Sequence, residues 1–277
     1  MTTLTEIIKA IPPKISYLFT VDNDPKTSKG RKLGYVTAIL YMLPAKLSGI
    51  IDLCKYASLG CAMACLNSAG RGAFNSTQNA RKNKTIWYVK FKGLFWKRAI
   101  KELQNLDNRI TKLGLKVAVR FNGTSDQPIE RIRIKDTNSD YDGLTILESF
   151  PHIQFYDYTK YPYATRPNET LPENYHLTYS RSEDTTQSEM ELNLSNGRNV
   201  AVVMDVCKLG YAKSCHSKCE CPFPKTWHGY DVINGDLSDL RFLDPTGVIV
   251  ALHAKGKAQD DQSNFVVNAL TDINAIF

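Results

Sequence analysis

Three cysteines lie close together in the run Cys54-Lys-Tyr-Ala-Ser-Leu-Gly-Cys61-Ala-Met-Ala-Cys65. Cys61 and Cys65 are four residues apart, so a helical turn would project both thiols from one face. Cys54 would reach the same point from the preceding loop. Three thiolates with no obvious fourth ligand nearby predict a metal or iron–sulfur site with one open coordination position. The alternative is that these cysteines are small buried hydrophobic residues.

A second group of cysteines follows later in the chain. It contains Cys207, Cys215, Cys219 and Cys221, with His216 and His228 nearby. Four thiolates could hold a structural Zn²⁺ or a second iron–sulfur cluster. The spacing is not the paired Cys-x-x-Cys of a zinc ribbon, so it does not name the metal. A redox-active dithiol is an alternative, and so is a fourth ligand supplied to the first group.

The composition is that of an ordinary globular protein. Of 277 residues, 43% are hydrophobic and 23% are charged, which argues against a disordered or fibrous chain. No apolar run reaches the length of a membrane span, and the first residues lack a basic secretory n-region. We therefore expect a cytosolic protein without a membrane partner, in which cysteines bind metals or react rather than form disulfides.

Six short apolar stretches predict β-strands, and polar residues follow each of them. The stretches are residues 35–43, 115–121, 153–158, 175–179, 200–204 and 248–252. Because β/α barrels carry their chemistry at the carboxyl ends of the strands, the pattern predicts an α/β fold with a partial (β/α)6-type barrel. The first cysteine group would lie in a loop after the first of these strands. We expect an N-terminal segment, 1–24, and one α/β domain, 25–277, with a cysteine-rich insertion at 207–228.

Polar residues at or near these strand ends are the candidates for catalysis and binding. Predicted catalytic residues are Asn122, Asp126, Asp157, Lys160, Asp236, Arg241 and Lys255, and predicted cofactor-binding residues are Ser180, Asn67, Arg71 and Gly72. Arg241 could clamp a carboxylate or a phosphate. Any single Asp or Asn could instead be a turn former or a helix cap.

A basic helical stretch offers a different function. Residues 76–113 show helical periodicity, with a break predicted at Gly93. Cations and aromatic residues alternate between residues 81 and 101, a mixture that can contact phosphates and stack bases. With the net charge of +7, this indicates a possible nucleic-acid partner. The alternative is a helix whose aromatic side is core and whose basic side is solvated.

Several runs resemble the phage gene-product-88 family. They are Pro25-Lys-Thr-Ser-Lys-Gly, Gly34-Tyr-Val-Thr-Ala-Ile-Leu-Tyr, Leu-Ser-Gly49, Cys54 through Gly72, Arg120-Phe-Asn-Gly-Thr-Ser-Asp126, Gln154-Phe-Tyr-Asp-Tyr-Thr-Lys160, Tyr175-His-Leu-Thr-Tyr-Ser180, Asn199-Val-Ala-Val-Val and Asp236 through Lys257. The resemblance spans about residues 25–267 and implies a bacteriophage-encoded or prophage-encoded protein without indicating an activity. The four-cysteine segment 207–221 is not expected in typical members and looks like an insertion.

The architecture also resembles that of radical SAM enzymes, in which three cysteines bind a [4Fe–4S] cluster and S-adenosylmethionine takes the open iron. The spacing of Cys54, Cys61 and Cys65 departs from their usual Cys-x₃-Cys-x₂-Cys, and the argument is one of analogy. Two hypotheses follow. The first is an iron–sulfur enzyme, radical-SAM-like in its chemistry. The second is a metal-stabilised nucleic-acid-binding or nucleic-acid-processing protein of phage replication.

Overall fold

The computed structural model of the protein describes residues 11–22, 25–136, 139–207 and 221–277. These residues form one mixed sheet with helices packed against it. The strands are β1 Phe19–Val21, β2 Tyr35–Leu40, β3 Lys116–Arg120, β4 Gln154–Thr159, β5 Tyr175–Ser180, β6 Val200–Asp205, β7 Thr226–Trp227, β8 Tyr230–Asn234, β9 Ile249–His253, β10 Val267–Asn268 and β11 Ala275–Ile276. The α-helices are α1 Pro25–Ser28, α2 Leu59–Met63, α3 Asn75–Lys90, α4 Lys92–Thr111, α5 Ile146–Ser149 and α6 Gln187–Ser195.

The sheet is built around six parallel strands in sequential order. The spatial order is β1-β2-β3-β4-β5-β6-β9-β8-β7-β11, and β10 pairs with β6. Strands β2 to β6 and then β9 are parallel, and each lies beside the one before it. Strand β8 is also parallel to β9, whereas β1, β7 and β11 pair antiparallel with their neighbours. The described strands do not close on themselves, so the sheet is open.

All six strands predicted from the sequence are present, with small differences at their ends. Their apolar runs are continuous because both faces of the sheet are covered. On one face, Val117 and Val119 pack into the main core. On the other face, Ala118 and Tyr156 pack against Leu240. Alternate residues of a strand therefore enter different environments, and only the second face leads to the carboxyl-end cleft described below.

The long helical region breaks at Phe91 rather than at the predicted Gly93. Phe91 has a non-helical backbone conformation (φ −127°, ψ 48°), and Gly93 lies inside α4. The apolar residues of α4 recur every three or four positions and are buried against the sheet. They are Phe95, Trp96, Ala99, Ile100, Leu103, Leu106 and Ile110. Among the described residues, no helix is both long and apolar enough to cross a membrane.

Three of the aromatic residues of the basic stretch belong to this core, whereas Trp87 and Phe91 are half-buried. Tyr88, Phe95 and Trp96 are buried, and the Trp96 ring stacks on Phe121 with 5.6 Å between ring centroids. Their faces are therefore occupied by other side chains and do not form an exposed platform for bases. The exposed cations of the stretch are Lys82, Lys90, Lys92, Lys97 and Lys101. The arrangement is that of a core-facing aromatic side and a solvated basic side.

Residues at the N-terminal side of the described chain are tied to the main sheet. Strand β1 pairs antiparallel with β2, with Phe19 opposite Leu40. The backbone N–H groups of Leu18 and Phe19 donate to the carboxylate of Glu102 on α4. These bonds join the segment before β2 to both the sheet and the helical layer. The predicted division at residue 24 stays a prediction.

Candidate functional site

A cleft of about 230 Å³ opens at the carboxyl ends of the parallel strands. The side chains of Cys54, Cys61 and Cys65 line it. Polar residues that follow several different strands line the same cleft. These are Asn122, Asp126, Lys160, Ser180, Asp236, His253 and Lys255. The structure thus brings the three cysteines together with six of the predicted catalytic and binding residues.

The segment after β2 positions the cysteines. Cys61 lies in α2, whose N-cap Ser58 accepts a hydrogen bond from the Cys61 backbone N–H at 3.2 Å. Glu183, from the loop after β5, accepts hydrogen bonds from the Ser58 hydroxyl at 2.7 Å and from the Gly60 N–H at 2.5 Å. A Cβ atom at position 60 would lie 2.7 Å from the Glu183 carboxyl carbon, so this contact requires glycine. The first turn of α2 is thereby fixed to the end of β5.

The other two thiols receive backbone hydrogen bonds. The Sγ of Cys54 accepts from the Ala45 N–H at 3.3 Å and lies 3.8 Å from the carbonyl oxygen of Thr124. The Sγ of Cys65 accepts from the Asn67 N–H at 3.5 Å. Backbone N–H groups directed at sulfur favour a thiolate over a thiol. Both sulfurs are therefore held in place by the chain itself.

The thiols influence one another electrostatically. Burial is the main cause that raises the pKa of Cys54 to about 12, and negative charge on Asp126, Cys65 and Cys61 contributes to the same shift. Burial also raises the pKa values of Cys61 and Cys65, although the neighbouring Lys160 opposes this. Without a positive ligand the three thiols are thus held in the protonated form. Within the described residues, no group of three or more His, Cys, Asp or Glu side chains is arranged to hold a metal ion.

A buried network joins the ends of β3, β4 and β5. Asp126 accepts hydrogen bonds from the Lys160 backbone N–H at 2.7 Å and from Arg166 Nη1 at 3.2 Å. The Nζ of Lys160 donates to the backbone oxygen of Ser180 at 2.9 Å and to its hydroxyl at 3.1 Å. Burial lowers the pKa of Lys160, and charge on Cys61 and Asp126 opposes that shift. The network places one ammonium group between the thiols and the end of β5.

A carboxylate and an imidazole form the opposite part of the cleft. Asp236 accepts hydrogen bonds from His253 Nδ1 at 3.0 Å and from Lys255 Nζ at 2.6 Å. Burial would raise the pKa of Asp236, but the bonds from His253 and Lys255 hold it below its ordinary value. A carboxylate at Nδ1 favours the tautomer that leaves Nε2 as an acceptor. In the described structure, His253 Nε2 is buried and has no hydrogen-bond partner.

Residues 17–269 match the family described as gene product 88. The chain belongs to the gene product 88 family. The resemblance seen in the sequence is confirmed, and the match covers the three cysteines and every strand from β1 to β10. The segment 207–221, expected to be an insertion, lies within the matched residues. Neither a curated protein nor a solved structure matches the chain.

Some predicted residues of this gene product 88 protein lie outside the cleft. Arg241 is fully buried, forms an ion pair with Asp244 at 3.2 Å and donates to the Ser238 carbonyl oxygen. It therefore stabilises the turn between β8 and β9, and the expected role as an anion clamp in the cleft does not fit its position. Asn67 is buried and bonds to Arg81 and Gln78. Arg71 and Gly72 line a neighbouring cavity.

The second cysteine group is only partly within the described residues. Cys207 is buried just after β6, and its backbone N–H donates to the Asp205 carboxylate at 3.0 Å. Cys221 packs against the hydrophobic cluster that contains Trp227. Cys215 and Cys219 lie outside the described residues. A metal site formed by these four cysteines stays a prediction.

The cleft also contains residues that were not predicted. Arg120 and Tyr158 are near the ends of β3 and β4, and the guanidinium lies 4.6 Å from the centroid of the tyrosine ring. Arg120 Nη1 is 3.6 Å from Asp239, which also lines the cleft. Strand alternation could have identified both side chains, since they share the face of Ala118 and Tyr156. Neither residue was predicted, because both lie within otherwise apolar strands and not after a strand end.

Asp157 lies beneath the cleft rather than in it. Its carboxylate accepts hydrogen bonds from the backbone N–H of Asn122 at 2.7 Å, from Asn122 Nδ2 at 3.0 Å and from the Tyr175 hydroxyl at 3.0 Å. Burial raises the pKa of Asp157 to about 7, although the bonds from Asn122 and Tyr175 favour the ionised form. The residue supports Asn122, which does line the cleft.

We expect Asp157 to make the protein less stable as the pH rises. Its pKa is raised in the folded state from the ordinary 3.8 to about 7, so the folded protein binds the proton more tightly than the unfolded chain does. The free energy of unfolding should therefore decrease as the pH rises through this window, by about 2 kcal/mol between about pH 5 and about pH 7. Urea unfolding of the wild type and Asp157→Asn at both pH values measures this. An equal loss in both proteins would show that Asp157 is already ionised at the lower pH.

Proposed function

We propose that this gene product 88 protein holds a [4Fe–4S] cluster through Cys54, Cys61 and Cys65 and is an enzyme whose substrate binds in the adjoining cleft. The observation that carries the proposal is the meeting of three half-buried thiols with charged strand-end groups in one cleft. Three protein ligands leave one iron open, and we propose S-adenosylmethionine as the ligand for that position. The place of action is the host cytoplasm.

The chemistry of the three thiols fits such a cluster. A single tetrahedral ion with Zn–S bonds of about 2.3 Å would need its sulfurs close together. The described residues contain no group arranged in that way. A cluster separates its thiolate ligands by the width of the cube, so three thiols that line one cleft could serve as its ligands. The positive charge of a bound cluster would also offset the burial that keeps these thiols protonated.

The strand order supports a partial barrel as the scaffold. Strands β2 to β6 follow one another in sequence and in space, and β9 lies beside β6, although β8, which precedes β9 in the chain, lies on the far side of β9. A doubly wound sheet reverses its strand order at a switch point, whereas a β/α barrel adds each parallel strand beside the last. The first of these strands leads into the cysteine segment, as the resemblance to radical SAM enzymes implies. We therefore infer an incomplete barrel with its mouth at the cleft.

Charged and polar side chains would bind and orient the substrate. Lys160 places a cation near the thiols, and this charge would attract a negatively charged group of the substrate. His253 can accept a proton or a hydrogen bond through Nε2, because Asp236 holds the Nδ1 hydrogen. Asn122 is held by Asp157 at the end of β3, and its amide already makes hydrogen bonds within the protein, so this residue would shape the cleft. A bound cluster, once reduced by an external electron donor, would supply the electron that cleaves S-adenosylmethionine to a radical.

The test is the metal content of the protein after anaerobic purification. We expect about four irons and four sulfides per chain, a brown colour and broad visible absorption. Addition of S-adenosylmethionine should then change the electron paramagnetic resonance spectrum of the reduced protein. Zinc alone, with no iron or acid-labile sulfide after reconstitution under reducing conditions, would contradict the proposal.

The hypothesis of a nucleic-acid partner now rests mainly on the exposed cations of the basic stretch. Tyr88, Phe95 and Trp96 are in the core, so base stacking on these rings is not available. The exposed lysines of α3 and α4 could still contact phosphates, and such contacts carry no sequence information. We therefore favour a small-molecule substrate over nucleic acid.

A further inference from the structure

A second cavity adjoins the cleft and is strongly basic. Its volume is about 850 Å³, which is in the range of small-molecule binding sites. Four cationic side chains line it, and no Asp or Glu is among the described residues that do so. The cations are Arg71, Arg81, Lys84 and Arg120. Arg120 is paired with Asp239 at 3.6 Å, and a negative ligand would neutralise the remaining positive charge of the cavity.

Two of these guanidinium groups have buried donors without partners. Arg81 is 7% exposed, and its Nη1 is held by the backbone and side-chain oxygens of Asn67. The Nε of Arg81 is buried and makes no hydrogen bond within the described structure, and the same is true of Arg120 Nε. Burial lowers the pKa of Arg81, and it lowers the pKa of Lys84 to about 8. Buried donors of this kind are costly unless an acceptor reaches them.

The N-terminus of α3 faces the same cavity. Ser76 and Thr77, in the first turn, line it. No side chain caps this 16-residue helix at Phe74, and its first turn contains no acidic residue. Free N–H groups and the positive end of the helix dipole attract anions, phosphate above all. This helix end adds to the arginine and lysine side chains at the same place.

The cavity and the cleft adjoin each other. Leu66, Arg120, Gly123 and Thr124 line both of them. A Cβ atom at position 123 would lie 2.7 Å from Ile39 Cγ2 and from Tyr41 Cδ1, so a close chain approach at this boundary depends on glycine. A ligand that occupied both spaces would pass beside Arg120. Its charged end would lie in the larger space and its other end near the cysteines.

We propose that the basic cavity binds the phosphate group of a phosphorylated small molecule of nucleotide size. The phosphate is held by Arg71, Arg81, Lys84 and the first turn of α3. Arg120 lies where the cavity adjoins the cleft. The placement of the other end of the molecule at the cysteines rests on the proposed function, whereas the phosphate site does not. Arg81 and Lys84 are buried in the cavity wall and do not lie along an exposed groove, which favours a small molecule over a nucleic-acid strand.

The test is calorimetric titration of the full chain with ATP and, separately, with inorganic pyrophosphate. Arg71 is exposed, so Arg71→Glu can be made without disturbing the core. Lys101→Glu is the matched control, because Lys101 is an exposed cation on α4 that does not line the cavity. We expect Arg71→Glu to weaken binding of both probes by about tenfold or more, as for the loss of a charge-assisted hydrogen bond. Lys101→Glu should leave binding unchanged.

Two further proteins separate the possible outcomes. Arg81→Gln, with its folding checked by thermal unfolding, should weaken binding at least as much as Arg71→Glu. Binding should survive in the triple variant Cys54→Ala/Cys61→Ala/Cys65→Ala, so that a missing cluster and a missing phosphate site are told apart. The proposal is overturned if neither probe binds, if both charge reversals act equally, or if a single-stranded oligonucleotide binds while ATP and pyrophosphate do not.

Discussion

Replacing Cys61 by serine is expected to remove the iron and acid-labile sulfide of the proposed cluster from the anaerobically purified protein. Cys61 is the one member of the group that lies in a helix, and it faces Lys160 in the cleft. A serine hydroxyl is far less acidic than a thiol, so it is a poor ligand for iron. Two thiolates alone would not retain a cluster. Iron, sulfide and the visible spectrum measure the loss directly.

Cys207→Ser is the matched control for this prediction. Cys207 is also buried, but it lies just after β6 and does not line the cleft. Its replacement should leave the iron and sulfide content of the Cys54–Cys61–Cys65 group unchanged. If Cys207→Ser lost all the iron while Cys61→Ser retained it, the cluster would belong to the second cysteine group. Thermal unfolding of the iron-free forms of both variants checks that the fold is kept.

Replacing Arg166 by methionine is expected to cost about 3–5 kcal/mol of folding stability. Arg166 is fully buried and binds the two oxygens of Glu130 at 3.0 Å and 2.8 Å. It also binds Asp126 at 3.2 Å and Thr159 at 3.0 Å. Methionine fills a similar space, but it leaves the buried carboxylates of Glu130 and Asp126 without the Arg166 guanidinium. Urea unfolding at neutral pH gives the change in the free energy of unfolding.

Arg133→Met is the control, because it removes a loop arginine from an exposed ion pair. Arg133 and Glu148 have 55% and 41% of their side-chain surface accessible. Exposed pairs of this kind contribute about 0–1 kcal/mol. A similar loss in both variants would mean that Arg166 acts only as one more surface charge. Because Asp126 lines the cleft, Arg166→Met should also impair any activity found for the protein, even where it remains folded.

Local sequence patterns were sufficient to predict the strands and the place of the cleft. The apolar runs at 35–43 and 200–204 are rich in β-branched residues, and burial on both faces of a sheet is the arrangement that suits them. Parallel strands bring all their carboxyl ends to one edge. Asn122, Asp126 and Lys160 therefore lie near the cysteine segment, as the sequence indicated.

The choice of which polar side chain faces the cleft was decided by strand parity and long-range contacts. Asp157 and Lys160 both follow the apolar start of β4, but Asp157 shares the face of Phe155 and is buried beneath the cleft. Arg241 looks like an exposed anion clamp in the sequence, whereas Leu240 and Phe242 pack on the sheet and draw it into the interior. The burial of these side chains depends on the register between distant segments, which the periodicity of a single segment does not specify.

The sequence of this gene product 88 protein by itself determined its family, its six parallel strands and a cysteine group next to polar strand ends. Only the tertiary structure revealed the basic cavity, since its cations come from residues 71–84 and from Arg120, which are far apart in the chain. The type of a side chain determines which interactions it can make. Its actual partners depend on how the sheet and the helices pack, because packing brings together segments that are distant in the sequence.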